Sequence, residues 1–171
     1  MTTTITGATG INRVADGADM PAGSVIQMVE ASTVNQVANT SANFVTTDLS
    51  VAITPTSADT KLVIMVGQVL QNYNTSNYST GRWKIVKTQG GVTSDVFGSP
   101  SAANGNLLIY DYGGSGVNLI RPLYMQTVVT SGSTTARTYF TQIAKGSNGG
   151  TIITAQPESQ PSSIIIMEIA G

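Results

Sequence analysis

The chain has 171 residues, of which only 10% are charged, with a net charge of −1 and neither Cys nor His; an average soluble domain is roughly 25% charged. Without Cys and His there are no thiolate nucleophiles, usual zinc ligands, serine-histidine triads or histidine pH switches. Eight basic residues balanced by nine acidic ones leave no basic face for nucleic acid.

The length fits one domain with a core of its own. Its polar surface is built from Thr, Ser, Asn, Gln and Gly, a composition that suits extracellular or particle-borne β-proteins. No apolar run approaches the roughly 20 residues of a spanning helix, and the opening Met1-Thr-Thr-Thr-Ile-Thr6 has neither the basic nor the apolar region of a signal peptide. No membrane partner is expected.

Residues 1–22 alternate small polar clusters with the single apolar residues Ile5, Ile11, Val14 and Met20 and keep no helical or strand period. Such a segment cannot bury a face of its own. It is expected to be an attachment arm, with Ile5, Ile11 and Val14 as anchors, ahead of a head domain over 23–171.

Strands follow Pro21 and Gly23. Ser24 to Ala31 alternates, then Asn43 to Thr47 and Asp48 to Thr54, the latter with Leu49, Val51 and Ile53 on one face. Lys61 to Gln71 is apolar on both faces: Leu62, Ile64, Val66 and Leu70 against Val63, Met65 and Val69. Asn72 to Thr80 reads as a polar loop carrying Tyr73 and Tyr78. Gly81 to Lys87 and Val92 to Phe97 flank a Gly90-Gly91 hairpin turn. After a loop come Leu107 to Tyr112, the turn Gly113 to Gly116, and Val117 to Thr130, whose Pro122 belongs at a sheet edge or bulge. Thr134 to Lys145, Thr151 to Ala155 and the apolar run Ser162 to Ala170 complete about nine or ten strands at roughly ten-residue spacing, the pattern of an all-β antiparallel sandwich or jelly roll.

In the last run, Ile165, Met167 and Ile169 share one face and Ile164, Ile166 and Glu168 the other. A sandwich strand in a monomer needs one apolar face, yet this strand and Lys61 to Gln71 each have two. One face is expected to fill the core and the other to line a subunit interface, for which Leu62, Ile64, Val66, Ile164 and Ile166 are the candidates. The alternative is that long loops cover the second face within one chain.

The carboxylates are Asp16, Asp19, Glu30, Asp48, Asp59, Asp95, Asp111, Glu158 and Glu168. A glycoside hydrolase needs two across a cleft, but most of these sit beside turn residues where a carboxylate caps or stays solvated. No catalytic residue is expected. Asp95 or Asp111 could join loop carbonyls around calcium, yet the clustered spacing of a calcium loop is missing, so no metal or cofactor is expected. Gly113-Gly-Ser-Gly116 lacks the Lys and following helix of a phosphate loop and reads as a hairpin turn. Glu168 reads as a strand-end carboxylate paired with Arg, Lys or backbone donors, against the alternative of a buried acid with a raised pKa. Tyr73 and Tyr78, among Asn, Ser and Thr, have the amphipathic chemistry of contact loops and sugar sites. The glycosylation triplets at Asn39, Asn74 and Asn77 are ordinary in so Asn- and Ser-rich a chain.

Thr4-Ile-Thr-Gly-Ala-Thr-Gly-Ile-Asn12, Met20-Pro-Ala-Gly-Ser-Val-Ile-Gln27, Ile53-Thr-Pro-Thr-Ser57 before Lys61-Leu-Val-Ile-Met65, and Ser163-Ile-Ile-Ile-Met-Glu-Ile169 together resemble tailed-bacteriophage virion proteins. In these a short attachment arm precedes a trimeric jelly-roll head, and they are known as capsid-decoration, head-fibre or tail-fibre proteins. The resemblance implies a homotrimer on the exterior of a virion, partnered by other virion proteins and without enzymatic activity. A decoration protein is the leading expectation, since the chain is little besides an arm and a head. A tail-fibre tip that recognises host surface glycans through Tyr73 and Tyr78 is the alternative.

Overall fold

The computed structural model describes residues 20–74, 78–97, 107–112, 116, 118–146 and 151–171. Eleven strands are present among them: β1 (Val25–Thr33), β2 (Val37–Asn39), β3 (Val45–Ile53), β4 (Lys61–Asn74), β5 (Tyr78–Gln89), β6 (Val92–Phe97), β7 (Leu107–Tyr112), β8 (Asn118–Thr130), β9 (Arg137–Lys145), β10 (Thr151–Ala155) and β11 (Ser162–Ile169). They form two antiparallel sheets packed as a sandwich, the expected class. The six-stranded sheet runs β1-β11-β4-β10-β2 with β8 on the other side of β4; the five-stranded sheet runs β3-β9-β5-β6, with β7 also on β5.

Each sheet is organised on one long strand that two shorter strands share end to end. β11 pairs with Lys61 to Gly67 of β4, and β10 with Leu70 to Asn74. Between them, Gln156 N donates to Val69 O at 2.9 Å and Val69 N donates to Ser162 Oγ at 3.1 Å. The ladder is therefore continued through the break, as buried backbone groups require. The break itself contains Pro157 and Pro161, which cannot donate to a ladder, and Gln156 in the left-handed region at φ 51°.

Leu49, Val51 and Ile53 of β3 face Leu62, Ile64, Val66 and Leu70 of β4, with Trp83, Ile85, Tyr139, Ile143, Ile164 and Ile166 between the sheets. Arg137 is buried with them and fastens the β8–β9 connection: its guanidinium donates to Ser131 O at 2.5 Å, Ser133 O at 2.6 Å and Ser133 Oγ at 2.9 Å. Burying that charge is tolerable because several acceptors converge on it.

Several sequence expectations hold. Gly90 and Gly91 make the β5–β6 hairpin, with φ of 56° and 80°, the left-handed pair a two-residue turn demands. Pro122 lies in β8, which among the described residues pairs only with β4 and so is an edge strand.

Others are corrected. Asn43 to Thr47 and Asp48 to Thr54 belong to one strand, β3, whose pairing to β9 shifts between Thr46 and Ser50; the irregularity imitates a strand end. The polar stretch Asn72 to Thr80 is not one loop. β4 runs through Tyr73, β5 starts at Tyr78, and their ladders with β10 and β7 hold this polar sequence extended. The expected turn at Gly113 to Gly116 lies mostly outside the described residues; the strands it was expected to join, β7 and β8, lie in different sheets.

Candidate assembly surface

The side-chain parity of the six-stranded sheet decides which residues another chain can reach. In β4 the even positions point inward, and in β11 so do Ile164, Ile166 and Glu168. The five residues expected at a subunit interface are therefore placed in the core. Leu62, Ile64, Ile164 and Ile166 are 0% exposed and Val66 is 2% exposed, already packed against the five-stranded sheet. The second apolar face consists of the opposite set: Val63, Met65 and Val69 of β4 and Ile165, Met167 and Ile169 of β11, all half-buried.

The neighbouring strands extend that face. Register sets Met28, Met167, Val63 and Val128 side by side across β1, β11, β4 and β8. The next row is Glu30, Ile165, Met65 and Gln126, and the third is Ser32, Ser163, Gly67 and Tyr124. Met28 is 59% exposed, Val128 53%, Tyr124 80% and Val25 49%. Neighbouring exposed apolar residues grouped on one face, in place of scattered single ones, are the physical mark of an interaction site.

The third row gives the face relief. The Tyr124 ring leans over Gly67, where an added Cβ would come within 3.1 Å of Tyr124 Cε1. Shallow depressions of about 340 and 240 Å³ lie to either side of it; both include Gly67 and Ser163, and the smaller reaches Ser32. The surface is raised at β8 by the ring and recessed at β1 and β11 by two serines.

Glu168 has the partners of a structural acid. It is fully buried and accepts from Gln27 Nε2 at 2.5 Å, Thr56 N at 2.8 Å, Thr56 Oγ1 at 3.0 Å and Thr60 Oγ1 at 2.7 Å. Burial pushes its pKa up, but the hydrogen bonds from Gln27, Thr60 and Thr56 outweigh it and hold the carboxyl below its usual value. All four donors are neutral; the expected Arg or Lys is not among them. The expected structural role with a backbone donor is met by Thr56 N; the side-chain donors could not be named from the sequence because they lie far away in the chain, in β1 and the β3–β4 turn.

The other candidates are dispersed. Tyr73 is 36% exposed near the far end of β4, as a strand residue and not a loop residue; the Tyr78 side chain, the Asp111 side chain and all of Ile5, Ile11 and Val14 lie outside the described residues. Asp48 accepts from Thr33 and Asn35, and Asp95 pairs with Lys84 at 2.7 Å. Among the described residues no three His, Cys, Asp or Glu side chains are grouped to hold a metal ion, and no helix is long and apolar enough to cross a membrane.

No family model matches the chain, and no curated protein matches it. Among solved structures it is similar to a chain of infectious bursal disease virus, Gx strain, with 12% identity and a TM-score of 0.38 over 85% of this chain and 37% of that one. The Gt strain gives 16% identity and a TM-score of 0.36 over 86% and 39%. Dimeric latent PorU from Porphyromonas gingivalis gives 8% identity and a TM-score of 0.32 over 88% and 14%. The chain thus spans less than two-fifths of each of these proteins, and likeness of this degree bears on neither family nor function.

Proposed function

We propose that the protein is a structural component of a bacteriophage particle, a homotrimeric decoration protein whose head stands on the particle exterior and whose residues 1–22 dock it to another virion protein. The observation that carries this reading is the apolar outer face of the six-stranded sheet. A low-charge sandwich whose described residues leave such a face uncovered is suited to being completed by another chain. The resemblance of the leader, the junction and the closing strand to phage virion proteins supplies the setting. A protein that binds only the assembled shell stabilises it by mass action.

Two measurements test it. Sedimentation of the full chain at micromolar concentration is expected to give three chains, and a well-behaved monomer overturns the assembly. Deleting residues 1–22 is expected to leave the head folded and associated while removing it from purified particles; full occupancy by the truncated head overturns docking through the arm. The alternative, a tail-fibre tip binding host glycans, has in its favour the exposed Tyr73. Glycan-array binding by the isolated chain that is lost in Tyr73→Ala would establish it.

A further inference from the structure

Resting on the trimer reading, we infer that the occupant of the apolar face is a second copy of this chain, with the β1 side of one face seated row for row on the β8 side of the next. Three considerations converge on this arrangement: area, polarity and relief.

The four strands β1, β11, β4 and β8, at about 4.8 Å spacing and about eight residues long at about 3.3 Å each, span roughly 500 Å² in plan. Their pleated side-chain surface is larger than its plan. The ring divides it between two neighbours, so each pairwise contact takes about half of it, and it is the closed trimer, not one pair, whose burial per chain comes near the roughly 800 Å² per partner of a standard interface. A monomer's largest apolar patch is typically about 300–600 Å² and often functional, and this face, with Glu30, Gln126, Ser32 and Ser163 among its members, lies in that range.

The pairing follows from register. If the strands run along a three-fold axis, rotation about it preserves height, and residues of one cross-strand row meet the same row of the neighbour. Met28 on β1 then meets Val128 on β8 of the next chain, apolar on apolar. Glu30 meets Gln126, whose amide can donate to the carboxylate, so the one acid of these rows is not left without a donor. Ser32, in the recess beside Ser163, meets Tyr124, the raised ring. Each pair is separated within its own chain by β11 and β4. The contact is heterologous and closes as a ring, using both halves of every face.

The absence of native Cys makes a clean test available. Within one chain Met28 and Val128 lie three strand spacings apart, about 14 Å, too far for a disulfide, which needs Cα atoms within about 7 Å. The full-length Met28→Cys/Val128→Cys double variant, oxidised mildly at micromolar concentration, is expected to give a covalent species of three chains on non-reducing electrophoresis. The Ser50→Cys/Thr93→Cys variant, on exposed positions of the other sheet, is expected to stay a single chain. Tyr124→Ala, with an unchanged circular dichroism spectrum, is expected to weaken association at least tenfold by sedimentation. A wild-type trimer with no cross-link in the Met28/Val128 variant, or with Tyr124→Ala associating as tightly as wild type, overturns the row pairing and leaves the trimer standing. Cross-linking that saturates at two chains overturns the ring. A monomeric wild type overturns both.

Discussion

The two sheets share one core, yet their outer faces are unlike. On the six-stranded sheet the outward positions are Met28, Val63, Met65, Ile165, Met167 and Val128, interrupted by Glu30, Gln126 and two serines. On the five-stranded sheet β3 turns Thr46, Asp48, Ser50 and Ala52 outward, and β9 turns out Thr138, Phe140 and Gln142. The basic pair Arg82 and Lys84 there stacks on Phe44, with Lys84 Nζ 4.3 Å from the ring centroid. One face is finished for water with hydroxyls, amides and a charge cluster. The other is largely apolar. The five-stranded sheet shows the alternation of a strand wet on one side, and the difference teaches that surface polarity here is divided by sheet and not averaged over the molecule.

The comparison can be broken most severely along β11, where adjacent residues face opposite ways. Ile166→Asp puts an unpaired carboxylate between the sheets and is expected to abolish cooperative folding, read as loss of the thermal transition by circular dichroism. Its neighbour Met167→Asp is expected to fold with nearly the wild-type transition but to lose assembly, with an association penalty of about 3 kcal/mol or more by sedimentation. Ser50→Asp on the opposite sheet is expected to do neither.

Glu168 gives a smaller, pH-dependent effect confined to the six-stranded sheet and the turn it holds. Its folded-state pKa lies below the ordinary carboxyl value, so its contribution is present above the unfolded pKa and is lost as pH falls through the folded one. Thermal midpoints are expected to drop as pH falls below the ordinary carboxyl range, and Glu168→Gln is expected to lose about 1–3 kcal/mol at neutral pH while flattening that acid-side slope. An unchanged slope in the variant would assign the acid sensitivity elsewhere. The smallest effect is expected on the polar face: Lys84→Met, which removes the Lys84–Asp95 pair, should change stability by less than about 1 kcal/mol in chemical denaturation.

Much of the fold was legible in the sequence because β-branched runs between turn residues leave few other structures open. The hairpin at Gly90-Gly91, the edge position of Pro122 and the two-sided character of β4 and β11 could all be read from local chemistry. Which side of those strands faces the core could not. Both sides are apolar, and the one acid in β11, Glu168, lies on the inward side with Ile164 and Ile166. Local logic would turn such a residue outward; Gln27, Thr56 and Thr60 reverse it from more than a hundred residues away. Gln68 and Asn72, polar and inward in β4, mislead in the same way. The three-residue β2 is too short to leave a pattern, and Tyr73 and Tyr78 looked like loop residues because the ladders that extend them come from β10 and β7.

The position of β11 has a consequence for how the protein is made. This strand is inserted between β1 and β4, and the Gln27 to Glu168 bond joins residues 141 apart in the chain. Pairings of such long range close slowly, since the entropy of a large loop is lost before any contact rewards it. While the ribosome is still adding residues, at about 5–20 per second, β1 has no neighbour on that side and the six-stranded sheet is split in two. The outward surface of Ile165, Met167 and Ile169 exists only after β11 has docked. In the proposed assembly, a chain whose β11 has not docked lacks that part of the contact surface.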